Sequence, residues 1–204
     1  MSTPHLTPFP VHTVDSAPVG SRELLRSAEQ AWGFLPKLHA VLAESPAALE
    51  AYMTLFRLVA ESSLSAQQQQ VAYLTVSALH GCSYCVAGHT YLAQQAGLPS
   101  AVVQALRRGE SITTDAGLEA LRRFVTRVVL DRGHVSADEV AAFHAAGYTR
   151  QNLLELVTLV ATKTISNYAN HLALTPAEAF MADPSYGWTP AQMGTGATTT
   201  AAMA

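Results

Sequence analysis

Signals for the start and the end of helices recur along almost the whole chain. Segments of roughly ten to twenty residues begin at Ser, Thr or Pro and end at Gly, which is the usual pattern of helix caps. Ser65 with Gln68, and Ser136 with Glu139, have the spacing of capping boxes. No segment alternates in the way expected of a strand. The sequence therefore predicts an all-α protein, a bundle of about eight helices.

Two apolar stretches show where helices contribute to the core. Ser45 and Pro46 open a helix whose apolar side chains recur at helical spacing, and we expect this stripe to be buried. Its members are Leu49, Tyr52, Met53, Phe56, Val59 and Ala60. Thr149 opens the longest apolar stretch, and Thr175, Pro176 and Glu178 are expected to cap a short final helix. One face of the long helix is predicted to carry Leu153, Val157, Val160 and Thr164.

The two ends of the chain differ from the part between them. Residues 1–20 contain four prolines, and residues 189–204 are mostly small and polar. Such composition predicts an N-terminal arm and a flexible C-terminal tail. A chain of 204 residues suits one domain, which we place at residues 21–188.

Charge and hydropathy exclude several classes of function. The net charge is -3 and Lys and Arg form no block, so nucleic acid and anionic membranes are not expected partners. No apolar run approaches the roughly 18 residues of a membrane-spanning helix, and the first residues lack a secretory pattern, which predicts a cytoplasmic protein. Only 13% of residues are charged, a composition that favours burial of surface in a homo-oligomer.

A weak internal echo relates two parts of the chain. Adding 85 to the residue number maps Gln70, Cys82 and Cys85 onto Glu155, Asn167 and Asn170. The echo is compatible with two related helical halves. Three matching positions also arise by chance.

The candidate reactive residues lie in the stretch from His80 to His89. Cys85 and His89 are four residues apart and share a helix face, whereas Cys82 lies one turn earlier. Gly81 ends the preceding helix, so Cys82 is predicted at a helix N-terminus, where backbone N–H groups and the helix dipole favour a thiolate. An adjacent thiol can close a disulfide on an oxidised partner. His89 can exchange the proton, and His80 offers a second imidazole.

Two alternatives compete with dithiol chemistry. Cys82, Cys85, His89 and His80 could supply four zinc ligands, but no second Cys or His cluster lies elsewhere in the chain. The cysteines could also be inert core residues, because a free Cys often behaves as a small hydrophobe. The spacing of two Cys and a His favours redox chemistry over both.

These residues resemble the superfamily of AhpD-like alkylhydroperoxidases and carboxymuconolactone decarboxylases, and within it the uncharacterised peroxidase-related proteins. The resemblance extends over most of the chain. It is carried by residues 33–36, 45–47, 64–65, 76–89, 163–171 and 175–176.

The resemblance implies an AhpD-like helical fold in homo-oligomers, commonly trimers or hexamers. It also implies that Cys85 meets the peroxide and that Cys82 resolves the product. Decarboxylase members generally lack the cysteine pair, so their activity is not transferred. A lipoyl- or thioredoxin-type dithiol protein would reopen the disulfide, and no metal, haem or flavin is required.

The chain departs from the peroxidase pattern at Gln70, where that pattern has a glutamate. An amide can orient a thiol or water but cannot accept a proton as a carboxylate does. The glutamate found three residues before the first cysteine in some relatives is also absent, since Leu79 stands there. We therefore expect His89, helped by His80, to transfer the proton, with Gln70 in a positioning role.

Three further positions are interpreted as structural. Glu155 is expected to be solvated or paired away from the site. Tyr84, between the cysteines, could gate the thiols or line a hydrophobic peroxide pocket, but an aromatic residue there is more typical of packing. Asn170 and His171 are expected to satisfy carbonyls or to contact a subunit.

The sequence thus predicts a thiol peroxidase that reduces hydroperoxides through a dithiol–disulfide cycle. A thiol–disulfide oxidoreductase acting on protein or small disulfides is one alternative. A non-catalytic oligomeric redox sensor is the other.

Overall fold

The computed structural model describes residues 6–193, which form α-helices and short 3₁₀ turns without a strand. Within that range, eight helices have nine residues or more and a further one, Lys37–Leu42, has six. The all-α prediction is confirmed. The helices are α1 Val19–Trp32, α2 Lys37–Leu42, α3 Pro46–Ala60, α4 Ala66–Leu79, α5 Ser83–Gln95, α6 Ser100–Arg108, α7 Ala116–Leu130, α8 Ala137–Ala145 and α9 Arg150–Ala173.

Side chains at the predicted caps begin several of these helices. The capping boxes of Ser65 with Gln68 and of Ser136 with Glu139 both form. Gly81 joins α4 to α5 with a φ of 69°, a left-handed conformation that glycine adopts without steric cost. The turn leaves Cys82 as the N-cap of α5, as the sequence predicted.

The helix α4 lies at the centre of the domain. Its sides pack against α5, α6, α7 and α9, and ten of its residues are buried. A second apolar cluster joins α1, α2 and α3 and includes Leu25, Leu42 and Leu49. The candidate site lies where α5 and α9 meet this second cluster.

Two apolar faces differ from their predictions. Ala60, placed in the core stripe of α3, is exposed, because α3 ends there and its last turn faces solvent. On α9 the predicted face is only partly in the core, since Leu153 and Val160 pack against it but Val157 is 50% exposed. The buried face of α9 is largely polar over its second half, and it carries Leu156, Leu159, Thr162, Lys163, Ser166, Asn167 and Asn170.

The segment after α9 is not the α-helix that the sequence predicted. Leu174 ends α9 in a left-handed conformation, and residues 175–178 have no helical structure. Glu178 instead precedes a 3₁₀ turn at Ala179–Ala182. This segment folds back over α5, where it forms one wall of a cavity. The predicted arm and tail extend into residues 1–5 and 194–204, which lie outside the described part.

Over residues 6–193, no helix is both long enough and apolar enough to cross a membrane.

Candidate active site

The two thiols lie one helical turn apart and are both buried. Cys82 is 1% exposed and Cys85 is 3% exposed, and both are free cysteines. Cys85 lines a cavity, whereas Cys82 lies behind it at the N-cap of α5. A substrate in the cavity therefore meets the sulfur of Cys85.

Asn170 and Lys163 reach Cys85 from α9. Asn170 Nδ2 donates to Cys85 Sγ at 3.2 Å, and the charge of Lys163 acts on the same sulfur. Burial by itself raises the pKa of Cys85, but the hydrogen bond from Cys82, the charge of Lys163 and the bond from Asn170 lower it to about 6. The same Cys82–Cys85 hydrogen bond, together with burial, raises the pKa of Cys82 well above its usual range. These opposite shifts favour the thiolate at Cys85 and the thiol at Cys82.

A buried chain of hydrogen bonds leads away from Cys85. Lys163 Nζ donates to His89 Nε2 at 3.0 Å, and His89 Nδ1 donates to Gln70 Oε1 at 2.9 Å. Because the lysine can only donate and the amide oxygen can only accept, the proton of neutral His89 is assigned to Nδ1. The chain thus ends at an amide that cannot take a proton.

His89 is held in its neutral form. Burial and the adjacent charge of Lys163 hold its pKa well below the usual value. Its ring stacks on Tyr73 with centroids 4.5 Å apart, and the same tyrosine ring lies 5.7 Å from Lys163 Nζ. A cation over an aromatic face is stabilised without a counter-charge. The buried ammonium therefore has a thiolate on one side and an aromatic ring on another.

The cavity above Cys85 has a volume of about 220 Å³ and is mostly apolar. Rings of α1, α2 and α3 form its outer wall, with Trp32 and Phe56 centroids 6.0 Å apart and Tyr52 5.4 Å from His39. The opposite wall comes from α5 and the 3₁₀ turn. The lining residues are Trp32, Phe34, Pro36, Leu38, His39, Tyr52, Phe56, Tyr84, Cys85, Gly88, His89, Tyr91, Leu92, Lys163, Glu178, Phe180 and Met181.

Tyr84 has a more specific position than the packing role expected for it. Its hydroxyl donates to Glu178 Oε1 at 2.6 Å and accepts from the Leu38 N–H at 3.3 Å. The same carboxylate oxygen accepts from the Lys37 N–H at 2.6 Å. Tyr84 therefore ties α5 to α2 and to the 3₁₀ turn, and its ring lines the cavity.

The structure brings Cys82, Cys85, His89 and Gln70 together but separates His80 from them. His80, at the end of α4, accepts from Asn167 Nδ2 at 3.0 Å and its ring lies 5.2 Å from that of Tyr168. The ring nitrogens of His89 pair with Gln70 and Lys163 and not with either thiol. The direct proton transfer expected of His89 with help from His80 therefore has no matching contact.

Two other expectations concern groups around this site. Glu155 accepts from the Ser63 N–H at 3.0 Å and from the Ser63 hydroxyl, which confirms that it is paired away from the thiols. As for the zinc alternative, residues 6–193 contain no group of three or more His, Cys, Asp or Glu side chains arranged to hold a metal ion.

Lys163 and Asn170 are the residues that sequence reasoning missed. Asn170 was interpreted as structural, yet it contacts Cys85, the residue 85 positions earlier onto which the internal echo maps it. The echo was thus the available signal. Lys163 lies in the middle of an apolar helix, and a lysine is rarely buried there unless it has partners.

The fold and site together define an all-helical protein with a buried dithiol. The model of the carboxymuconolactone decarboxylase family matches residues 46–127, which contain Gln70, Cys82, Cys85 and His89. These residues are similar to that family, and the chain has an AhpD-like fold. No curated protein matches it by sequence.

Solved structures share the fold at low sequence identity. An alkylhydroperoxidase AhpD core, an uncharacterized peroxidase-related protein from Ralstonia eutropha JMP134, has a TM-score of 0.76 at 16% identity, covering 92% of this chain and all of that one. A similar protein from Silicibacter sp. TM1040 has a TM-score of 0.73 at 14% identity, over 90% and 97% of the two chains. The debrominase Bmp8, in a Cys-to-Ala variant with 2,3,4-tribromopyrrole, has a TM-score of 0.68 at 18% identity, over 84% and 91%.

Proposed function

We propose that the chain is a thiol peroxidase in which Cys85 reduces a hydroperoxide and Cys82 resolves the product. The observation that carries the proposal is the position of Cys85. It is a low-pKa sulfur that faces an apolar cavity, and a second thiol lies one turn behind it. A thiolate is the nucleophilic form of cysteine.

In the first step, the Cys85 thiolate attacks the terminal oxygen of the hydroperoxide. An S–O bond forms, the O–O bond breaks, and Cys85 becomes a sulfenic acid. The alkoxide leaves and takes a proton from Lys163, the buried cation whose charge acts on Cys85 in the resting state. Neutral His89 can pass a proton back to Lys163 only after it has gained one, because Gln70 supplies none.

In the second step, the sulfur of Cys82 attacks Cys85. A disulfide forms and hydroxide leaves with the proton of Cys82 as water. The two thiols are oxidised, and the hydroperoxide is reduced to one alcohol and one water. The buried thiolate and ammonium are thereby converted to a neutral disulfide and a neutral amine, so no isolated charge stays in the interior.

A dithiol must then reopen the disulfide. Both sulfurs are at most 3% exposed, so a reductant whose reactive cysteines lie on its own surface cannot reach them without opening the fold. A dithiol on a thin arm, as in a lipoyl group, can enter the cavity. Of the lipoyl- and thioredoxin-type donors, we favour the first, and we place the reaction in a homo-oligomer.

The test is a count of titratable thiols before and after one equivalent of cumene hydroperoxide. We expect rapid loss of both thiols with a mass decrease of two hydrogens. Cys82→Ser should stop at a sulfenic acid that a dimedone probe traps, and Cys85→Ser should not react. Persistence of both thiols in the wild-type protein would favour the oxidoreductase or sensor alternatives.

The ring-lined cavity supports a second candidate, reductive dehalogenation of an aromatic compound. In that reaction, Cys85 would take the halogen from a carbon that gains a proton, and Cys82 would displace halide to form the disulfide. One aryl halide and two thiols would give the arene, a disulfide and one hydrogen halide. Halide release from 2,3,4-tribromopyrrole, measured beside peroxide reduction, separates the two candidates.

A further inference from the structure

The cavity has room for one substituted ring. An apolar protein cavity of about 150 Å³ holds benzene, and the cavity above Cys85 measures about 220 Å³. Its walls are aromatic on most sides, which suits the face or edge of another ring. Polar groups in such a wall then decide which rings enter.

His39 is a polar residue of the cavity wall that takes no part in the hydrogen-bond chain leading away from Cys85. Its side chain lines the cavity and is only 6% exposed. Nδ1 is enclosed by protein and has no hydrogen-bond partner among residues 6–193. Since the ring borders the cavity, Nε2 is the nitrogen that a bound molecule can reach. A ligand that forms a hydrogen bond with Nε2 gains the net energy of that bond.

His39 recognises a neutral group. Burial lowers its pKa to about 4, so at neutral pH the ring carries one N–H and one lone pair and no charge. The edge of the ring lies against Tyr52, with centroids 5.4 Å apart, and Trp32 lies on another side at 6.4 Å. A hydroxyl or an azole N–H matches such an imidazole.

Glu178 disfavours anionic molecules. Its carboxylate lines the cavity, and one of its oxygens accepts both from Tyr84 and from the Lys37 N–H. Lys163, the cation at the cavity floor, is already engaged by Cys85 and His89. A ligand carboxylate would therefore meet a like charge in an apolar pocket without a free cation.

We propose that the cavity binds neutral single-ring aromatic molecules that carry one hydroxyl or N–H group, with that group paired to His39. These molecules would be the substrates of the proposed function. The proposal rests on that function only in taking the sulfur of Cys85 as the reacting atom, and the binding itself needs no reaction.

The test is calorimetric binding of three unreactive probes to the reduced protein. We expect 4-methylphenol to bind roughly fivefold more tightly than toluene, the gain of one net hydrogen bond, and 4-methylbenzoate to bind more weakly than either. His39→Phe should abolish the preference for the phenol and retain toluene binding. His39→Gln, which keeps a donor and an acceptor, should retain the preference, and His134→Phe, at an exposed histidine, should behave as wild type.

Three results would overturn the proposal. They are equal affinity for phenol and toluene in the wild type, a preference that survives His39→Phe, and benzoate binding that equals phenol binding. The proposed function is judged separately by thiol oxidation. Probe binding without oxidation by peroxide would reject the peroxidase alone, and oxidation without probe binding would reject this inference alone.

Discussion

Lys163 Nζ lies 3.0 Å from His89 Nε2, and its charge lowers the pKa of Cys85. One buried cation thus links the thiolate to the imidazole, and it is 2% exposed in the interior of α9. The acidity of Cys85 therefore depends on a residue 78 positions away, on another helix.

Lys163→Met should raise the pKa of Cys85 from about 6 to its ordinary value or above, because the burial that opposes the thiolate would remain without the cation. We expect the rate with cumene hydroperoxide at pH 7 to fall roughly tenfold. A smaller fraction of Cys85 would be thiolate, but a thiolate of higher pKa is the stronger nucleophile, which offsets part of the loss. Thiolate absorbance near 240 nm, followed against pH, reports the pKa. Lys37→Met, at the other lysine of the chain, should leave that titration in place.

Gln70→Glu tests the neutral end of the hydrogen-bond chain. A carboxylate beside His89 Nδ1 would attract a proton to the ring and would offset the charge of Lys163. We therefore expect the pKa of Cys85 to rise by roughly one unit, with the peroxide rate profile displaced to higher pH. An unchanged profile would show that the residue at position 70 is electrostatically remote from the sulfur.

The burial of His39 makes the stability of the protein depend on pH in the acidic range. Its pKa is about 4 in the folded state against 6.5 ordinarily, so the unfolded chain binds more protons between those values. Stability is then full above pH 6.5 and is lost as the pH falls towards 4, by about 3 kcal/mol from this residue alone. Urea unfolding of wild type and His39→Phe at pH 7 and pH 4 measures it. The variant should lose less stability than wild type, and equal losses would contradict the assignment.

Gly88→Ala should reduce the cavity without disturbing the fold. Gly88 lies inside α5 and lines the cavity, and an added Cβ would meet its nearest neighbour, Met181 Cε, at an ordinary contact distance of 3.8 Å. Replacing a mid-helix glycine should stabilise the protein by roughly 0.5–1 kcal/mol. We expect KM to rise for cumene hydroperoxide and to stay constant for hydrogen peroxide. Thermal unfolding and steady-state kinetics give the two readouts, and a parallel rise in both KM values would exclude a steric effect.

Local signals in the sequence predicted much of the fold. Ser65 with Gln68 and Ser136 with Glu139 form their capping boxes because capping depends on residues three apart. The six-residue α2 was not predicted, since so short a helix has little periodicity of its own. The buried face of α9 was misjudged because the prediction assumed that apolar residues are buried, whereas the second half of α9 buries Lys163 and Asn170 at the thiols.

Only those residues of the candidate site that lie on one continuous segment could be predicted from the sequence. Cys82, Cys85 and His89 share one helix, so their spacing determines their relative positions. Lys163 and Asn170 enter through the packing of α5 against α9, which depends on all the contacts between those helices. His39 and Glu178 come from two further segments, and both line the cavity.

Part of the cavity wall comes from segments on either side of the thiols. Both cysteines lie within residues 46–127, the part that the family model matches, whereas His39 precedes that part and Glu178 follows it. Substitutions in these two flanking segments are therefore expected to change which molecules enter the cavity while both cysteines stay in place.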